Sequence, residues 1–116
     1  MSRLEIRLLG GFDARIAGAS IQGFESQKVR ALFAFLACQQ ERGASRDQLA
    51  GLLWGEKSEE AARRNLRQAL HNLRLACAEA DPEAEILMAA QGQLRIHPEL
   101  DCWVDSLQFE RAIDRG

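Results

Sequence analysis

Arg63, Arg64, Arg67, Gln68, His71 and Arg74 are side chains that can bind phosphates or read the edges of bases, and they fall within one short stretch. At about 100° per residue they gather on one side of a helix. Ala62, Leu66, Ala69, Leu70, Leu73 and Cys77 gather on the other side, the pattern of a helix packed onto a core. No acidic residue occurs from Ala61 through Ala78. A chain with net charge −2 has thus concentrated cations on one helical face, as a phosphate-facing surface requires. The reading is a recognition helix for nucleic acid, over about residues 58–78. A solvated helix explains part of this face, because Glu59 with Arg63 and Glu60 with Arg64 are i,i+4 pairs in the favoured order. Arg67, His71 and Arg74 have no carboxylate three or four residues away, so intrahelical pairing leaves them unexplained.

With such a helix in a major groove, Arg64, Arg67, Gln68 and His71 are the candidates for base edges, since Arg reads guanine bidentately and Gln reads adenine. Arg46, Arg63, Arg74 and Arg95 are the candidates for phosphates, which set register and carry the salt dependence. Enzymatic chemistry has no comparable signature. Gly10-Gly11 is not followed by a phosphate-loop or dinucleotide fingerprint, no Ser/His/Asp arrangement appears, and Cys38, Cys77 and Cys102 lack Cys-x-x-Cys spacing. No catalytic residue, metal or cofactor is therefore expected.

The elements that hold the helix follow from the rest of the chain. At 116 residues, 47% hydrophobic and 28% charged, it reads as one globular domain of ordinary soluble composition. An odd number of cysteines, two at apolar helical positions, suits a reducing cytosol. No apolar run is long enough for a signal or membrane segment, so a cytoplasmic protein is expected.

Leu4, Ile6 and Leu8 alternate with Arg3, Glu5 and Arg7 as in a half-buried strand. Short strands at Phe12–Ile16 and Ser20–Gln22 complete an antiparallel meander. Ser26 caps a first helix carrying Val29, Leu32, Phe33, Leu36 and Ala37, with Lys28 and Arg30 read as solvated. Ser45 and Gln48 form a capping box for a second helix carrying Leu49, Leu52, Leu53 and Trp54. Arg46 then lies at a helix N-terminus, which favours phosphate. Glu56-Lys57-Ser58 is a tight connection to the basic helix, which Asp81-Pro82 ends. Two helices joined this way, the second basic, make a helix-turn-helix. Ile86–Met88 and Gln93–Ile96 form a hairpin with Gly92 at its tip, in the position of a wing. A last amphipathic segment, capped by Asp105 or Ser106, carries Leu107, Phe109, Ala112 and Ile113. The expected fold is α+β: a winged helix-turn-helix with an N-terminal antiparallel sheet, a three-helix core and a C-terminal hairpin wing.

In this order the parts resemble the OmpR-like DNA-binding domain of SARP-type transcriptional activators, the antibiotic regulatory proteins. The residues carrying the resemblance are Leu8-Leu9-Gly10-Gly11-Phe12, the stretches 28–37, 45–54 and 60–70, Leu73-Arg74, and Asp101 to Phe109. It implies a bacterial regulator that binds promoter direct repeats in double-stranded DNA, monomeric in isolation and side by side on DNA. It further implies a DNA-binding domain over 1–100, with 101–116 opening a helical bacterial transcriptional activator domain. The 55–58 loop is implied as a contact for RNA polymerase. The wing departs from the family pattern: Gln93 rather than Tyr follows Gly92, and Arg95 is the one cation near a tip formed by Gln91 and Gln93. The rival expectation is a winged-helix module that binds protein and not DNA.

Overall fold

A computed structural model of the chain describes residues 3–106. Strand β1 (Arg3–Arg7) buries Leu4 and Ile6 and pairs antiparallel with β2 (Asp13–Ile16), Leu4 opposite Ile16 and Ile6 opposite Ala14. Strand β3 (Ala19–Ser20) starts one residue earlier than expected and is short, because Ile21 leaves the ladder to enter the core. Its N–H still donates to the Ala14 carbonyl at 2.8 Å.

Helices α1 (Gln27–Cys38), α2 (Arg46–Trp54) and α3 (Glu59–Ala80) each begin at the serine expected to cap them. Ser26 Oγ accepts from Val29 N at 3.4 Å, Ser45 Oγ from Gln48 N at 3.1 Å and Ser58 Oγ from Ala61 N at 3.2 Å. Each cap satisfies an otherwise orphaned N–H, worth about 1 kcal/mol. The core forms where the apolar faces meet: Leu32, Phe33 and Leu36 of α1, Leu49 of α2, and Leu66 and Leu73 of α3. Burying each such side chain stabilises the fold by about 1.5–3 kcal/mol. Phe12, Phe24 and Phe33 stack at one edge of this core, Phe12 and Phe24 edge to face at 5.4 Å between centroids.

A second sheet has the order β4-β6-β5, from β4 (Ala44–Ser45), β5 (Leu87–Ala90) and β6 (Gln93–Ile96). The hairpin is tighter than expected. Strand β5 runs on to Ala90, leaving Gln91 and Gly92 as a two-residue turn with φ of 54° and 78°. Both positive angles mark a type I′ turn, whose twist matches the flanking strands.

The stretch after the wing returns to the first sheet. Strand β7 (Asp101–Val104) pairs parallel with β1, Leu4 opposite Cys102 and Ile6 opposite Val104, giving the order β3-β2-β1-β7. The sheet therefore takes in residues beyond position 100. Asp105 fastens this return, its carboxylate accepting from Leu8 N at 2.8 Å and Leu9 N at 3.1 Å. Burial raises the Asp105 pKa, but hydrogen bonds from the Leu8, Leu9 and Ser106 amides and the charge of Arg7 outweigh it and hold the group below its ordinary value. Arg7 also lies over the Trp103 ring at 5.3 Å. The segment expected through Leu107, Phe109, Ala112 and Ile113 lies outside the described residues.

Candidate nucleic-acid interface

Helix α3 presents its cations together. Ser58 starts the helix, Glu59 and Glu60 complement the positive end of its dipole, and Leu66, Leu70 and Leu73 seat one side in the core. The opposite side then has only one place to go. Arg63, Arg64, Arg67, Gln68, His71 and Arg74 are all exposed, and they cover about 140° of the helix at 100° per residue. Arg64, Arg67, Gln68 and His71 stand at i, i+3, i+4 and i+7, a continuous two-turn stripe. Exposed Leu75 lies beyond the stripe toward the helix C-terminus.

One flank of the stripe meets the start of α2. Arg46, Arg63 and Arg67 line a groove there with Asp47, Leu66 and Leu70. Arg63 reaches across it, its Nη2 lying 3.2 Å from Asp47 Oδ1, so its partner comes from α2 rather than from Glu59 on its own helix. Both side chains are well exposed, at 56% and 76%, so the pair adds at most about 1 kcal/mol. Arg63 remains available to a stronger anion. Arg46 follows β4 directly, and its neighbour Ser45 pairs with Gln93 near the wing tip.

Arg95 stands apart from this group. It lies on β6 between inward-facing Leu94 and Ile96, is half-buried, and has its Nε enclosed without a hydrogen-bond partner among the described residues. Gly43 packs close against the same strand. A Cβ built on Gly43 would stand 2.9 Å from Arg95 Cβ, so only glycine lets the two backbones approach.

Several residues do more than their sequence context shows. Lys28, read as solvated, donates its Nζ to the Leu53 carbonyl near the end of α2 and lies 5.8 Å from the Trp54 ring centroid. Arg30 lies over Phe24 at 5.8 Å. Asn72 is buried and bridges to the β3–α1 connection, accepting from Glu25 N at 3.0 Å and donating to the Gly23 carbonyl at 2.9 Å. His97 is half-buried, accepts from Glu99 N at Nδ1 and donates its backbone N–H to the Ile86 carbonyl. Cys38, Cys77 and Cys102 form no disulfide. Burial pushes Cys77 up to about 12. Burial, with Asp101 and Cys38 adding to it, pushes Cys102 to about 12 as well. Thiols held this far from ionisation are poor nucleophiles and poor metal ligands.

The fold has a counterpart among solved structures. Mycobacterium tuberculosis EmbR, in complex with a low-affinity phosphopeptide, is 31% identical to this chain and superposes with a TM-score of 0.65 over 83% of it. The fold is a SARP-like winged helix. This chain spans 25% of the length of the EmbR chain. No protein-family model matches the chain, and no curated protein matches it. Among the described residues no helix is long and apolar enough to cross a membrane, and no group of three His, Cys, Asp or Glu is placed to hold a metal.

Proposed function

We propose that this chain is the DNA-binding domain of a bacterial transcriptional regulator, recognising a specific double-stranded sequence with α3 in the major groove. The observation that carries the reading is the exposed, acid-free stripe of α3 in a chain whose net charge is −2. General solubility has no need for such segregation, whereas a polyanion does. The winged-helix likeness to EmbR agrees with a transcription-regulator domain.

In this reading Arg64, Arg67, Gln68 and His71 meet base edges, while Arg46, Arg63 and Arg74 hold phosphates around the groove. Arg95 reaches a phosphate only by swinging out of its enclosure on β6. Promoter direct repeats occupied side by side, contact of the 55–58 loop with RNA polymerase, and a helical activator domain beginning after β7 belong to the same proposal, as does a cytoplasmic setting.

The test is fluorescence anisotropy with a random-sequence duplex pool at low and moderate salt, followed by selection and sequencing of the bound fraction. An enriched motif, with affinity falling steeply as salt rises, is the expected result. Absence of salt-dependent binding at low salt would refute it in favour of a module for protein partners.

A further inference from the structure

We infer that Asn72 is a positioning residue for base recognition, fixing the rotation of α3 about its own axis. This inference rests on the DNA-binding reading above. Asn72 is the one buried polar side chain among the described residues, and it follows His71 directly. Both of its hydrogen bonds go to backbone of the β3–α1 connection, at 3.0 Å to Glu25 N and 2.9 Å from its own Nδ2 to the Gly23 carbonyl. That connection is itself firmly seated. Phe24 packs between Phe12 and Phe33, and Ser26 caps α1.

Position on the helix gives the clamp its effect. Asn72 lies about 180° around α3 from Arg63 and about 14 Å further along the axis. Asn72 ties the C-terminal half of α3 to the loop before α1, on the side of the helix opposite the one on which Arg63 is offered to phosphate. Apolar packing by Leu66, Leu70 and Leu73 resists separation but is less sensitive to turning, since hydrophobic contact has no direction. Hydrogen bonds are directional and supply what packing lacks. At a side-chain radius of about 6 Å, a 10° turn moves the reading stripe by about 1 Å, enough to spoil bidentate pairing with a base. Phosphate contacts from long, flexible cations tolerate the same turn.

Asn72→Ala should therefore lower the ratio of affinities for selected and random duplex by about tenfold, the scale of one good base contact, while the salt dependence of binding to random duplex stays unchanged. Residual dipolar couplings of the α3 amides should report a changed helix orientation. Asn72→Ser admits water to Glu25 N and the Gly23 carbonyl and serves as the second variant if Asn72→Ala does not fold. A variant that is folded at the temperature of measurement, yet keeps both the affinity ratio and the helix orientation, would overturn the inference and leave the DNA-binding reading standing. Failure of the unsubstituted domain to enrich any motif would instead remove the DNA-binding reading, and this inference with it.

Discussion

Residues on the same helix face can differ in how committed they already are. Arg63 shares its charge with Asp47 across the α2–α3 groove, whereas no ion pair engages Arg67 among the described residues. Arg67 also sits between Arg64 and His71 in the middle of the stripe, where a base contact is flanked on both sides. Arg67→Ala should cost about 1–3 kcal/mol in binding to the selected duplex and relax the preference at one base pair. Titration against single-base variants of that duplex checks this; unchanged affinity and preference would take Arg67 out of the reading stripe. Exposure of these side chains was legible in the sequence, because one helical period places them all opposite the leucines. What Lys28, Asn72 and His97 do was not legible. Their partners are the Leu53 carbonyl, the Gly23–Glu25 backbone and the Ile86 carbonyl, each a backbone group whose position no local pattern reports.

Among the elements, the three helices were readable because each carries its own start signal, a serine followed by an apolar period. The wing hairpin was readable from Gly92 between two apolar runs. Strands β4 and β7 were not. Ala44–Ser45 is too short to show any alternation, and Asp101–Val104 is defined by a partner at the far end of the chain. Strand β4 nevertheless decides where the wing sits, and Gly43 decides whether β4 can pair. Its φ is +68°, and a Cβ there would meet the Leu94 carbonyl oxygen at 2.3 Å, a backbone atom that cannot turn aside. Gly43→Ala should destabilise the domain by roughly 1–3 kcal/mol, through strain at a left-handed position together with displacement of β6. Chemical denaturation measures the loss. Amide exchange should show it concentrated in β4 and β6, and uniform protection in the variant would count against this account.

At the scale of the whole molecule, the first sheet holds both β1 and the strand that follows the wing, and Asp105 locks the two together. A carboxyl whose folded pKa is depressed contributes stability that is present above its unfolded value of 3.8 and is lost as pH falls through the folded value. Asp105→Asn should accordingly lower the melting temperature near neutral pH, and the gap between variant and parent should close as pH drops below 3.8. Thermal melts across that range test the latch, and a gap independent of pH would assign the loss to something other than its charge. The parallel pairing of β1 with β7 also has a mechanical meaning. A pull entering at Arg3 and leaving past Val104 grips the two strands at opposite ends, so their hydrogen bonds are sheared all at once and not peeled one by one. Tension passed along the chain would therefore meet its stiffest joint in the sheet farthest in sequence from α3, and the exposed face of α3 would be shielded from the load.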